Sequence, residues 1–264
     1  MRIARFAGDD DPRFGVIGDD NGVPTIAHLN GDPLYAGLNL SGQKTPLADV
    51  RLLAPVIPRS KVVGVGKNYV KHAVEMGGEV PSEPLIFLKP NTSVIGPGEP
   101  IFYPEQSENV HYEGELAVLI GRICRDISAE DAAKVIFGYT VANDVTARDL
   151  QAKDGQWARA KGFDTFCPLG PWIETDFDPS GVQVTTRLET PPSAAAVKQD
   201  GNTSDMVFTV PDIVAYVSSF MTLLPGDVIL TGTPDGVGPM EVGDNVSVTI
   251  EGIGTLTNPV VSRA

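Results

Sequence analysis

Cysteine is nearly missing from the 264-residue chain: there are two, Cys124 and Cys167, with no CxxC spacing. That excludes a disulfide framework and a thiolate zinc site, and leaves two buried, reduced thiols as the expectation. Positive charge is also short. Twenty Lys and Arg stand against 34 Asp and Glu, a formal net charge of −14. Such a surface repels phosphate backbones, so no nucleic-acid partner is expected. An anionic substrate would then need local positive charge from Lys, Arg or a metal. No apolar run reaches the ~18 residues of a membrane span. The N-terminus, MRIARFAGDDDPRFGVIG, carries acids where a signal peptide has its apolar stretch. No membrane association and a cytoplasmic location are therefore expected. Gly64-x-Gly66 lacks the third glycine of a dinucleotide fingerprint, which excludes a Rossmann reading. No fixed-period repeat is present.

What the chain does have is Gly (28) and Pro (22) in an ordinary globular background, 42% hydrophobic and 20% charged. Many turns and short strands follow. Residues 1–57 read as a small β-rich unit: Ile3–Phe6, Phe14–Ile17 and Thr25–Leu29 are short apolar runs, and Asp19-Asp20-Asn21-Gly22 is a hairpin signal. Pro46, Pro55 and Pro58 punctuate an extended linker. The larger unit, 58–264, opens with a buried strand at Lys61–Gly66 and a helix over Asn68–Met76 that ends at Gly77-Gly78. A long strand is expected over Val110–Gly121. A helix over Ser128–Val135 should be capped by Ser128 with Asp131 in the capping-box position. Further strand is expected at Phe137–Ala142, a helix start at Thr146–Gln151, a helix at Pro211–Phe220, and strand with tight turns from Asp227 to Val261.

Five stretches carry possible chemistry. Glu113 and Glu115 precede the apolar run Leu116–Ile120, and a strand buried on both faces would put both carboxylates on one side. Two buried carboxylates repel and lose solvation, so one is protonated or a cation sits between them. Oxygen donors suit Mg²⁺, Mn²⁺ or Ca²⁺. Solvated glutamates at a strand's start are equally compatible with the spacing. Asp144 follows an apolar strand and precedes a helix, as an N-cap or as a third carboxylate ligand. Arg148, one turn on, suits Asp144 or a substrate carboxylate. His72 and Glu75 at i and i+3 share a helix face, as a surface contact or as a carboxylate-supported base that activates water. Lys161 leads into a Gly/Pro-bounded apolar segment, as a surface lysine or as an oxyanion donor. Leu230–Gly238 is a Gly-rich turn with hydroxyls at Thr231 and Thr233, either plain or presenting N–H groups to an anion. Gly77, Gly78, Pro81 and Pro84 bracket a segment with little apolar content, and residues 76–90 are expected to form a mobile lid.

Read together and in order, GVGKNYVKHAVE (64–75), PLIFLKP (84–90), YEGELAVL (112–119), GYTVANDVTARDLQ (138–151), AKGFDTFCPLGP (160–171), QDGNTSDMVF (199–208) and PGDVILTGTPDGVGP (225–239) resemble the fumarylacetoacetate hydrolase family. The resemblance runs from about residue 60 to the end. It implies a mostly β fold with a few helices (α+β), a twisted β-roll, in a catalytic domain at 58–264 preceded by a small β-rich domain at 1–57. It implies Mg²⁺ or Mn²⁺ on Glu113, Glu115 and Asp144, a base pair of His72 and Glu75, and a catalytic Lys161. Arg148, Gln151, Thr233 and its neighbour Gly232 would bind substrate. A homodimer and a small anionic 2-oxo acid substrate are also implied. The reaction would pass through an enolate with the metal as Lewis acid. The candidate reactions are hydrolysis of an acylpyruvate and decarboxylation or tautomerisation of a 2-oxo diacid such as oxaloacetate, with acylpyruvate hydrolysis and oxaloacetate decarboxylation level, and isomerisation of a 2-hydroxyhepta-2,4-diene-1,7-dioate close behind. A non-catalytic binding module is a distant alternative, since a binder needs no base. Between Arg187 and Lys198 the chain departs from the family pattern, with Glu189–Val197 in place of a short Asn-Gly hairpin.

Overall fold

The computed structural model describes residues 1–8 and 11–263. Strands dominate, as the turn-rich composition implied. The main sheet runs, in spatial order, Leu40–Pro46, Val23–Leu29, Arg13–Asp20, Arg2–Phe6, Cys167–Glu174, Ile136–Asn143, Gly114–Ile120, Val228–Leu230, Val62–Gly66 and Leu85–Lys89. Along this order the pairs are antiparallel except Val228–Leu230 with Val62–Gly66. The N-terminal strands form an up-and-down meander whose first strand pairs with Cys167–Glu174, so this sheet is continuous with the larger unit. Asn21 and Gly22 both take positive φ, at 56° and 86°, as the expected hairpin requires.

A second sheet, in spatial order Ala196–Asn202, Gln183–Glu189, Asn245–Ile250, Gly254–Ser262 and Ile101–Tyr103, packs against the first. The strand Gly114–Ile120 lies between two cores. Leu116, Val118 and Ile120 meet Val184, Val248 and Ile250 of the second sheet and Ile213, Val214 and Val217 of the helix Val210–Phe220. Ala117 and Leu119 face Ile3, Leu169, Val228 and Leu230 on the opposite side. Burial on both faces explains why this segment reads as an uninterrupted apolar run. The helix Val210–Phe220 starts at a capping box of Thr209 with Asp212. Cys124 and Cys167 are free and buried. Among the described residues no helix is long and apolar enough to cross a membrane.

Several local expectations are corrected. The strand over Val110–Gly121 is two strands: Val110–Tyr112 belongs to a three-stranded sheet with Thr146–Ala147 and Gly238–Pro239, Gly114–Ile120 belongs to the main sheet, and Glu113 sits at the break. Ala129–Lys134 is a 3₁₀ helix, and the Ser128 side chain makes no capping bond, because the Asp131 N–H that it would accept donates to the Ser128 carbonyl at 3.1 Å. The lid expected over 76–90 loses its second half. Leu85–Lys89 is a strand paired along its length with Val62–Gly66, which leaves 76–84 outside regular structure. The strands flanking the unusual segment pair, Gln183–Glu189 with Ala196–Asn202, so that segment is the loop of a hairpin.

Candidate active site

The floor of the site is assembled where two adjacent strands end. Gly114 pairs with Asn143 and Glu115 with Ala142. Just beyond, the Asn143 side-chain carbonyl accepts the Glu113 N–H at 2.9 Å, and the Asp144 N–H donates to the Glu113 carbonyl at 2.8 Å. The interruption of the strand therefore lets Glu113 turn toward Glu115 and Asp144. All three are buried, at 4%, 2% and 1% exposure, and each brings a carboxylate oxygen within 4.8 Å of the others. Solvated glutamates and an N-capping Asp144 are thus set aside. The following helix starts at Arg148 with Ala147 as its N-cap.

Burying this much negative charge requires compensation. Lys89 Nζ lies 2.5 Å from Asp144 Oδ1, and Lys161 Nζ lies 2.6 Å from Glu113 Oε2 while also donating to Asp144 Oδ2. Arg148 donates through Nη2 to Glu113 Oε1 and through Nη1 to Gln151 at 3.0 Å. Glu115 is treated differently. Its partner is the Gly232 N–H, at 2.7 Å, and no cationic side chain pairs with it among the described residues. The pKa directions follow. Burial works to raise the Glu113 carboxyl, but Arg148 and Lys161 overcome it and hold Glu113 well below the usual range. Burial, Asp144 and Glu113 together push Glu115 well above it. Burial lowers Lys161, and Asp144 with Glu113 more than reverse that, so its ammonium stays charged. Lys161 is therefore a donor and no base at neutral pH. A hard divalent cation fits this donor set: three converging carboxylate oxygens, one of them without a cationic partner.

The rim carries the second group. The helix Val70–Glu75 follows Asn68, whose buried side chain bonds Phe208 O, Thr231 O and Phe208 N. His72 is 5% exposed, and its Nδ1 lies 3.2 Å from Glu75 Oε2. Glu75 Oε1 in turn accepts the Gly236 N–H at 3.0 Å. A carboxylate on Nδ1 favours the tautomer with its proton there and a free lone pair on Nε2. His72, Glu113, Glu115, Asp144, Arg148, Gln151, Lys161 and Thr233 line one cavity of about 440 Å³.

Two of the remaining sequence candidates sit in supporting positions. Thr233 donates to Gly114 O at 2.9 Å and accepts from Gln199 Nε2 at 2.7 Å. Gly232 gives its N–H to Glu115, so the anion met by the Gly-rich turn is the protein's own carboxylate. Its φ of 95° and the 2.6 Å that would separate an added Cβ from Asn68 Cβ explain the glycine.

Sequence reasoning passed over several residues. Lys89 is 1% exposed at the end of a strand, and its signal was a lysine closing the apolar run Leu85–Leu88. Gln199 clamps Gly114 N–H and Thr233 through both ends of its amide. Phe87 and Trp157 pack edge to face at 5.5 Å and form an apolar wall, with Lys161 Nζ 4.9 Å from the Phe87 ring. That pair needs Gly64 and Gly66, where a Cβ would come within 2.2 Å of Phe87 and 2.6 Å of Trp157. His111 also lines the cavity. It contacts Asn109 at 2.9 Å, and burial with the charge of Arg148 lowers its pKa to about 4, so it is neutral at pH 7.

Comparison with known proteins bears on this arrangement. Residues 61–261 match the family of the fumarylacetoacetate (FAA) hydrolase C-terminal domain, and residues 1–55 match the Rv2993c-like N-terminal family. Protein Rv2993c of Mycobacterium tuberculosis is 53% identical, over 100% of this chain and 99% of its own. Human mitochondrial oxaloacetate tautomerase FAHD2A is 45% identical over 82% of this chain and 71% of its own. Among solved structures, 5-carboxymethyl-2-hydroxymuconate delta-isomerase from Mycobacterium smegmatis superposes with a TM-score of 0.91 at 52% identity, covering both chains fully. Maleylpyruvate hydrolase from Sphingobium sp. SYK-6, solved with manganese (II) ion and pyruvate, superposes at 0.80 with 33% identity, again over both full chains. The relatives' names span a tautomerase, an isomerase and a hydrolase, while the match to the family runs through the segments that build the pocket. The chain belongs to the fumarylacetoacetate hydrolase family of enzymes.

Proposed function

We propose that the chain is a divalent-metal-dependent enzyme that moves a proton on a small anionic 2-oxo acid, interconverting keto and enol forms or shifting a double bond. The observation that carries this is a supported base, His72 with Glu75, lining the same cavity as the carboxylate triad. Glu113, Glu115 and Asp144 would hold Mg²⁺ or Mn²⁺, which supplies Lewis acidity toward the substrate's carbonyl oxygen. His72 Nε2 takes the proton from the carbon next to that carbonyl, Glu75 stabilises the imidazolium through Nδ1, and the electron pair moves onto the carbonyl oxygen as an enolate. Lys161, held charged, donates toward that oxygen. Return of the proton from His72 to oxygen gives the enol, and return to another carbon gives the isomer. Arg148 and Gln151 would orient the substrate's carboxylate, while Thr233, whose hydroxyl is engaged with Gly114 and Gln199, and Gly232, which holds Glu115, support the floor behind them.

Hydrolysis of an acylpyruvate is the second reading, supported by the likeness to maleylpyruvate hydrolase. There His72 would take its proton from water, and the water would attack the distal carbonyl. Decarboxylation of oxaloacetate needs no base and draws least support from the rim. The division into a β-rich unit at 1–57 and a catalytic unit at 58–264 belongs to the same proposal, and two family matches that meet between residues 55 and 61 support it. A homodimer is proposed from the family resemblance and is read directly by light scattering.

Deuterium uptake at C3 of 2-oxo acids, followed by NMR in Mg²⁺ or Mn²⁺, tests the reading. Exchange should need both the metal and His72. Turnover of an acylpyruvate without any exchange into 2-oxo acids would overturn proton transfer in favour of hydrolysis.

A further inference from the structure

Three cationic side chains line the cavity: Lys67, Arg148 and Lys161. Arg148 and Lys161 are engaged with Glu113 and Asp144. Lys67 differs, since no carboxylate lies within ion-pair distance of its ammonium among the described residues. Among the described residues it is the one cationic side chain of this cavity so placed. Its backbone is also unusual. Lys67 has φ of 57°, a left-handed conformation that costs a non-glycine residue on the order of 1 kcal/mol. The strain is held by its neighbours, because Gly66 continues a sheet strand and Asn68 is fastened by bonds to Phe208 and Thr231. Strain that neighbours enforce at a pocket-lining residue suits a functional position.

The place of Lys67 in the cavity indicates what it meets. Its ammonium reaches back to the turn that ends the His72 helix, where a Cβ added to Gly78 would come within 2.5 Å of it. It thus stands on the rim with His72 and Met76, while the carboxylate triad stands on the floor, and the apolar wall of Phe87 and Trp157 lies in the same cavity. A volume of about 440 Å³ falls in the range of ligand pockets that hold more than a three-carbon acid. We infer that Lys67 reads a second carboxylate, at the far end of a dianionic 2-oxo acid whose 2-oxo head faces the triad. The inference rests on the proposed function for the placing of the head. It adds the residue that selects the charge at the tail. Lys67 is half-buried, and its ammonium would make a charge-assisted hydrogen bond with that carboxylate, which discriminates a dianion from a monoanion of equal length by roughly 10- to 100-fold.

The test uses a matched pair of five-carbon acids, 2-oxoglutarate with a terminal carboxylate and 2-oxopentanoate without one. Calorimetric titration of the Mn²⁺-loaded full chain should show tighter binding of 2-oxoglutarate. Lys67→Met should weaken 2-oxoglutarate by roughly 10- to 100-fold and leave 2-oxopentanoate within about twofold. Lys67→Asn guards against misfolding, since Asn tolerates positive φ while losing the charge, and it should behave like Lys67→Met. Lys67→Arg should keep the preference. Equal affinities in the unaltered protein, or a loss that is the same for both acids, would overturn the assignment. C3 exchange is read on the same samples and judges the reaction separately. Discrimination without exchange removes the proton-transfer reading and keeps Lys67, and exchange without discrimination does the reverse.

Discussion

On the floor of the pocket, Glu113, Asp144, Lys89, Arg148 and Lys161 are buried and hold one another in place, with Glu115 beside them. On the rim, His72 and Glu75 ride a six-residue helix whose outer residues Val70 and Val74 are 53% and 68% exposed. The floor sits at the ends of central strands and shares their cores. The rim is fastened by the Asn68 side chain and by the bond that the Gly236 N–H donates to Glu75. Changes on the floor should therefore register in stability as well as in activity, whereas changes on the rim should register mainly in activity.

The contrast is broken most directly at Asp144. Asp144→Asn leaves Lys89 and Lys161 short of a counter-charge in the interior, and removing one partner of a buried ion pair costs about 3–5 kcal/mol. Urea denaturation of the metal-depleted protein should show that loss, and calorimetry should show no Mg²⁺ or Mn²⁺ uptake. A variant as stable as the parent would mean that the floor is not held together by its charges.

At the rim, His72→Asn should lower turnover by roughly 10²-fold or more. Its denaturation midpoint should move far less than that of Asp144→Asn. A stability loss as large as on the floor would erase the distinction between the two regions.

Within the floor, Glu113 and Glu115 should respond with opposite signs once chelator has removed divalent ions. Glu113 is held below the ordinary 4.5, so its contribution to stability is present above that pH and fades as the pH falls toward its folded value. Glu115 is held above 4.5, so its contribution is complete below that pH and is lost as the pH rises through its folded value. At pH 7, Glu113→Gln should destabilise the stripped protein and Glu115→Gln should stabilise it, and both should lose metal. Melting curves at pH 4 and pH 7 read the signs, and like signs would contradict the charge arrangement.

The smallest effect is expected at Glu75→Gln, which keeps an acceptor toward His72 while removing the charge. Turnover should fall by about tenfold, less than the roughly 10²-fold that loss of the base itself costs. Unchanged turnover would reduce Glu75 to an anchor for Gly236.

Much of this site was legible in residue order because its signals are local. The run Leu116–Ile120 is apolar since both faces of its strand are buried, and the Asn21-Gly22 turn needs the positive φ that those residues tolerate. His72 and Glu75 lie one helical turn apart, so spacing alone brought them together. The carboxylates were named from a motif, but spacing misjudged how they meet. A continuous strand would carry Glu113 and Glu115 side by side, and only the exchange of sheets at residue 113 brings Glu113 in toward Asp144.

What tertiary structure alone decided are the partnerships across long stretches of chain. Lys89 meets Asp144 from a strand 55 residues earlier, and Gln199 reaches Gly114 across 85 residues. Nothing in the composition separates Lys89, inside the core, from Lys67, on the pocket's rim with no carboxylate in reach among the described residues. A lysine's ordinary place is the surface, and only the position of a counter-charge in the folded chain determines which one can be buried and which one is left to meet a ligand. Patterns of period two and 3.6 report burial and local structure, and they carry no record of which distant charge lies opposite.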